Sequence, residues 1–224
     1  EIVGHQGILR SSPDALIGEI VMGMVHPKYR GRRLFERLKE KAFARMREAG
    51  VNGLYGEAVT NHPYSTRANF AMGARPTGFL LGFVPADLVF VNIGESQSQP
   101  TRMTAVLFYN QLIVTASRIV YPPLHHQSII ERTYRECSLS RSSSTGDPKG
   151  LEGVQSNVSM RTVPDFGMAY LDVVEIGEDL HQVIKGMLRQ LCLLRFDCIY
   201  VDLPLADPGT AYICAAVESL GFFY

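Results

Sequence analysis

The segment Val25-His26-Pro27-Lys28-Tyr29-Arg30-Gly31-Arg32-Arg33-Leu34-Phe35 gathers the residue types that hold a diphosphate. It lies between a β-rich run and a helical pattern, where the first N–H groups of the helix have no partners inside it. Those amides and the positive end of the helix dipole favour an anion. Gly31 permits close approach to the backbone, and Arg30, Arg32 and Arg33 add charge. From His26 to Glu48, nine Lys or Arg stand against three Glu. The whole chain hides this excess, because its 22 basic and 22 acidic residues cancel, and nothing global points to a polyanion partner.

Glu57 is the second residue whose setting suggests chemistry. It sits mid-strand among apolar neighbours, where a carboxylate is costly unless it has a task or a partner. The alternative is a carboxylate paired with an arginine or facing water. His62 and Tyr64 follow just past the end of that strand, where ligands of open α/β sheets gather. The adjacent His125 and His126 are set aside as metal ligands, since neighbouring side chains diverge and no Asp, Cys or Glu stands at ligand spacing; no metal is expected. GxxxxGK[ST], GxSxG and HExxH motifs are absent, which leaves P-loop hydrolysis, α/β-hydrolase chemistry and zincin proteolysis without support.

The elements that must position these residues follow from periodicity. Residues 2–9 and 17–25 read as an antiparallel hairpin joined by Ser11, Ser12, Pro13 and Asp14. Phe35, Leu38, Ala42, Met46 and Ala49 recur at helical steps over residues 34–49, and Gly50 closes that helix. A strand is expected over 51–59, a short helix over 65–72, and two extended pieces over 73–90 broken at Pro85. A loop over 95–100 and a long strand over 104–114 follow. Residues 138–153, rich in Ser, Gly and charge, read as a mobile loop. Beyond it come a strand over 167–175, a helix whose face is Leu180, Val183, Ile184, Met187, Leu188 and Leu191, a strand over 198–203, a helix over 210–220, and the start of a strand over 222–224.

The fold class is α/β with a mixed sheet, and the β, α, β, α, β succession occurs twice. We therefore expect two similar units, residues 1–114 and 115–224, the second degenerate and truncated at its C-terminus. In the second, Glu175, Glu178 and Asp179 occupy the strand-to-helix turn where the first has three arginines, so a diphosphate would be repelled and the acids would complement the helix end. The opening at Glu1 and the end at Tyr224 read as the edges of a fragment. Four cysteines without CxxC or zinc-ligand spacing suit a reducing cytoplasm, and no apolar run reaches the roughly 20 residues a bilayer requires.

The turn resembles that of the GNAT acetyltransferase superfamily, whose strand, Pro, Tyr-Arg-Gly turn and helix bind the pyrophosphate of acetyl-CoA. The family pattern Q/R-x-x-G-x-G/A, placed on Arg30, meets Arg33 and Phe35 where small residues are expected, and Phe35 would crowd the pantetheine arm. Residues 54–59 resemble the next family strand, and 69–79 the helix-then-strand that follows it. The resemblance implies acetyl-CoA as co-substrate, held by Met24, Val25, Arg30, Gly31, Arg32, Arg33, Leu34, Phe35 and Asn69. A backbone amide of Met24 or Val25 would polarise the thioester carbonyl. Glu57 is the expected base. The family's usual tyrosine acid falls on Asn69, an amide that cannot supply a proton, so either Tyr64 substitutes, the thiolate leaves unassisted, or the chain does not catalyse transfer.

The function so implied is N-acyl transfer from acetyl-CoA to a small-molecule or peptide amine. The alternative is a non-catalytic CoA-binding or regulatory module with the same fold. Nucleic-acid binding through Lys28, Arg32, Arg37, Lys41 and Arg45 lacks an accompanying aromatic surface. An unpaired sheet edge leaves room for a homo-oligomer.

Overall fold

The computed structural model describes residues 2–88, 101–146 and 148–224. The chain divides into two compact units, residues 1–116 with 135–139, and residues 117–134 with 140–224.

In the first unit β1 (Gly4–Leu9) and β2 (Ile17–Val25) form the expected hairpin. A single 3-10 turn (Pro27–Tyr29) leads to α1 (Leu34–Glu48), then β3 (Gly53–Val59), α2 (Tyr64–Ala71), β4 (Arg75–Val84) and β5 (Met103–Gln111). The sheet order is β1-β2-β3-β5-β4. β2 and β3 are parallel because α1 carries the chain back between them, and the other neighbours are antiparallel. Both helices stop at a glycine in the left-handed region. After α1, Gly50 has φ 74°, its N–H bonds to the Arg47 carbonyl at 3.1 Å, and the Val51 N–H reaches the Met46 carbonyl at 2.9 Å. Gly73 ends α2 by the same pair of bonds.

The core of this unit is Phe43 of α1 with Val51, Leu54 and Leu112, and Ile8, Ile20 and Met46 pack against it. Alternation along β3 follows: Leu54 faces α1, so Tyr55, Glu57 and Val59 lie on the opposite face of the sheet.

The second unit holds β6 (Arg118–Val120), α3 (Gln127–Glu136), β7 (Arg141–Ser143), β8 (Asn157–Val163), β9 (Met168–Glu175), α4 (Leu180–Leu193), β10 (Cys198–Asp202) and α5 (Thr210–Glu218), the last two residues of α3 belonging with the first unit. β8 and β9 are antiparallel, and β9 and β10 parallel. Its core is Ala169, Leu171 and Val173 of β9 against Leu180, Ile184 and Leu191 of α4 and Val217 of α5. The order β8-β9-α4-β10-α5 repeats β1-β2-α1-β3-α2 with the same sense of pairing at each step.

Three expectations are corrected. The stretch 138–153 contains β7, paired in parallel with β6, and a 3-10 turn at Pro148–Leu151, because backbone pairing needs no apolar side chains. Residues 222–224 form no strand; Tyr224 instead lays its ring on His126 at 4.6 Å. The chain between β3 and β5 contains one strand rather than two up to Leu88, since Pro85 ends β4. The expected loop at 95–100 lies outside the described residues.

Leu54 is fully buried and Phe79 of β4 is 68% exposed. Leu54→Ala is expected to lower the unfolding free energy by about 2–5 kcal/mol, and Phe79→Ser to change it by less than about 0.5 kcal/mol, in chemical denaturation of the whole chain.

Candidate functional site

The site begins where β2 and β3 part. Their ladder registers Ile17 with Gly53, Gly18 with Leu54 and Glu19 with Tyr55, and goes no further, although β2 continues to Val25 and β3 to Val59. Past Glu19 and Tyr55 the facing edges offer N–H and C=O groups to something other than each other. The opening lies at the C-terminal ends of two parallel strands, beside the start of the intervening helix, where α/β sheets bind ligands.

β2 is irregular along this opening. Two residue steps on β1, from Gly7 to His5, face three on β2, from Val21 to Met24. The extra residue is a β-bulge with Met22 in the left-handed region at φ 50°. Its carbonyl lies 3.0 Å from the His5 Nδ1. A bulge re-aims the groups that follow it, here the Met24 and Val25 amides. Phe35 of α1 packs on the bulge: a side chain on Gly23 would begin 2.6 Å from its ring. Phe35 thus occupies part of the space beside β2.

The turn itself is open. Gly31 has φ 76° with no atom within 4 Å of where a side chain would start. Arg33 sits at the helix N-cap in the left-handed region, φ 56°, and its side chain caps nothing. The first helical bond is donated by the Arg37 N–H to the Arg33 carbonyl at 3.1 Å, which leaves the amides of Leu34, Phe35 and Glu36 without intrahelical acceptors. The three arginines differ. Arg30 donates through Nε to the Val25 carbonyl at 3.3 Å. Arg33 pairs with Glu36 at 2.5 Å. Arg32 lies over the Tyr29 ring at 5.5 Å. Two of the three thus bond to oxygens of the turn and the strand before it, so positive charge there is partly committed to the turn's own shape.

Two titratable groups at the site are displaced far from their ordinary values. Glu57 is pushed up to about 7, first by burial and then by the neighbouring Glu19 carboxylate, to which it is hydrogen-bonded. Glu19 also accepts from the Tyr55 hydroxyl at 3.3 Å. The alternative of an arginine partner for Glu57 is not what the fold supplies; its neighbour is a like charge. Lys39 is 4% exposed, and burial draws its ammonium down to about 8. Its Nζ donates to the Asn69 Oδ1 at 2.5 Å and lies 5.0 Å from the centre of the Phe35 ring.

α1 packs on β1 and β2, and α2 on β3. The Lys39–Asn69 bond therefore ties the two helices together across the strands that part. Asn69, expected to replace a tyrosine acid, is buried and engages a proton-bearing group in its place. Tyr64, by contrast, is 62% exposed at the first residue of α2, its ring 5.5 Å from that of His62. Burial lowers the His62 pKa. Lys39 escaped sequence reasoning because it was counted as one charge in a basic run. The signal lay in its spacing, with phenylalanines four residues to either side on one helix face.

The corresponding turn of the second unit is closed. A side chain on Gly177 would strike the Val154 carbonyl, and the Gly177 N–H is already bonded to the Ser156 Oγ at 2.9 Å. Asp179 accepts from the Ser156 N–H at 2.8 Å rather than capping α4, and hydrogen bonds from the Ser156 side chain and then its N–H hold the carboxyl below the usual range. β10 is paired with β9 along its whole length. One premise is also corrected here: the rings of His125 and His126 do not diverge but lie 4.1 Å apart, and both Nε2 atoms reach Glu218.

A carboxyl whose pKa is raised on folding stabilises the protein below its unfolded value, and that contribution is lost as pH rises through the folded one. For Glu57 the window runs from about 4.5 to about 7. Glu57→Gln is therefore expected to match the parent in stability at pH 4 and to exceed it by on the order of 1–3 kcal/mol at pH 8, in denaturation curves taken across that range.

No family model and no curated protein matches the chain. Among solved structures it is similar to the ribosomal-protein-S18-alanine N-acetyltransferase from Escherichia coli, at 12% identity and a TM-score of 0.41, over 51% of this chain and 64% of that one. It is also similar to a Bacillus subtilis acetyltransferase in complex with CoA, at 15% identity and a TM-score of 0.42, over 50% and 71%. A third is Ard1 from Thermoplasma volcanium, at 14% identity and a TM-score of 0.39, over 50% and 64%. This chain thus spans less than two thirds of the Escherichia coli enzyme it matches.

Proposed function

We propose that the first unit is an N-acyltransferase that moves an acetyl or other acyl group from acyl-CoA to an amine of a small molecule or peptide. The observation that carries this reading is the opening between β2 and β3, flanked on one face of the sheet by Glu57 and on the other by Lys39. The donor's diphosphate fits the exposed amides at Gly31 to Phe35, with Arg32 in reach and Arg30 and Arg33 shaping the turn. Phe35 narrows the path beside β2 and favours a thin, extended arm over a bulky one.

The reaction breaks the acyl C–S bond and forms a C–N bond. Glu57, poised near neutrality, accepts the proton that the attacking ammonium loses. A backbone amide beyond the Met22 bulge, at Met24 or Val25, donates to the thioester oxygen as charge develops there. Lys39, held by Asn69, gives its proton to the leaving thiolate, and Tyr64 is assigned to the acceptor side of the opening. The second unit, with its closed turn and its β9–β10 pairing kept to the end of β10, reads as a degenerate repeat without a cofactor site of its own. All four cysteines are free, which accords with a reducing compartment, and no helix among the described residues is long and apolar enough to cross a membrane.

A second reading, a CoA-binding module without turnover, is favoured by the Phe35 ring on Gly23 and by the commitment of Arg30 and Arg33. Calorimetric titration of acetyl-CoA into the whole chain is expected to give micromolar binding that Arg30→Ala with Arg32→Ala removes. Thiol release with an amine acceptor should follow a bell-shaped pH profile with limbs near 7 and 8. Glu57→Gln should lower kcat by about 10²–10⁴ and remove the acidic limb, and Lys39→Met the basic one. Binding without turnover across an amine panel would favour the second reading, and no binding would sink both.

A further inference from the structure

The second unit contains a cluster that the acyl-transfer reading leaves unused. His125 and His126 immediately precede α3, and the His126 carbonyl accepts the Ile130 N–H at 3.1 Å as the first bond of that helix. Cys214 and Glu218 are one turn apart on α5 and so share a face. The His125 Nε2 lies 2.8 Å from one Glu218 carboxylate oxygen and the His126 Nε2 lies 2.5 Å from the other. With the Cys214 Sγ, these ligand atoms all fall within 4.8 Å of one another.

We infer that His125, His126, Cys214 and Glu218 form a binding site for a divalent cation of borderline softness, zinc being the natural occupant. Two imidazole nitrogens, one thiolate and one carboxylate oxygen are the donor types such an ion takes, four in number. Zinc distances of about 2.0–2.3 Å give tetrahedral edges of about 3.3–3.7 Å. The cluster reaches these by closing its widest separation by about an ångström and opening its histidine–carboxylate edges by less. The charges also balance: a dication with one thiolate and one carboxylate is neutral, which suits a half-buried position. Cys214 is 7% exposed, which shields a thiolate donor from solvent. His125, at 47% side-chain exposure, provides the entry path.

Four protein donors leave no open position, so the bound ion is structural. It clamps the end of α5 to the start of α3. Tyr224, stacked on His126, covers one ring of the site.

The test uses the whole chain, stripped with a chelator and titrated with zinc chloride against a chromophoric chelator. One equivalent should bind at micromolar affinity or tighter, with a rise in Tm at saturation. Cobalt(II) substitution should show a thiolate-to-metal charge-transfer band. Cys214→Ser should abolish that band, whereas Cys192→Ser, which changes an exposed cysteine, should retain it. Glu218→Gln should weaken zinc on the order of a hundredfold while the circular dichroism spectrum is kept. Less than one equivalent bound by the parent chain would overturn the site, and so would a charge-transfer band that survives Cys214→Ser. Neither result bears on acetyl-CoA binding, which is read in the first unit.

Discussion

Parallel pairing between β2 and β3 stops at Glu19 and Tyr55, and the arrangement of the first unit around its site is a response to that stop. Strands joined by a crossover helix normally stay in register to their ends, as β9 and β10 do until β10 finishes at Asp202. Where β2 leaves its partner it still has β1 on its other side, and the Met22 bulge adjusts that pairing. α1 follows β2, and α2 follows β3. The Lys39–Asn69 bond then spans what backbone hydrogen bonds no longer join.

The same physical cause sets both displaced titrations. Removing water disfavours charge, so it raises an acid and lowers a base. Glu57 comes up to about 7 and Lys39 down to about 8. Each has a further neighbour that sharpens the effect or fixes the geometry. Glu19 adds repulsion to Glu57. Phe35 supplies an apolar wall and a ring face for Lys39. Read in sequence, Phe35 is a departure from a small-residue pattern. In the fold it excludes water from the one lysine of α1 that is buried. The residue that packs against the β2 bulge thus also walls the buried lysine.

Much of this architecture was legible in the sequence because it is locally encoded. The hairpin, α1 with its Gly50 stop, β3, α2 and the β9-α4-β10-α5 run all follow from period-2 or period-3.6 patterning with glycine at the ends. The strand-turn-helix of the candidate site was legible for the same reason. The elements β6, β7 and β8 were not. The first two are three residues each, and Arg141, Ser142 and Ser143 present no apolar face. The carboxylate pair of Glu19 and Glu57 was invisible as a pair because it depends on the register of two strands, β2 and β3, that are far apart in sequence. Lys39 was hidden by its own run of charge. His125 and Glu218 lie 93 residues apart, beyond any spacing rule.

The two strand-to-helix turns differ in backbone as well as in charge. Three arginines against three carboxylates suggest that the second turn refuses an anion by repulsion. Its backbone gives a stronger reason. The segment from Val154 to Ser156 lies against Gly177, takes its N–H, and places the Ser156 N–H on Asp179. Reversing the three charges would leave that space filled. At Gly31 the converse holds: Arg30 and Arg33 are engaged within the turn, and the vacant volume and unpaired amides remain. Whether such a strand-to-helix turn can admit an anion therefore depends first on whether its strands separate and the turn stays open. Side-chain charge then selects among the anions that geometry admits.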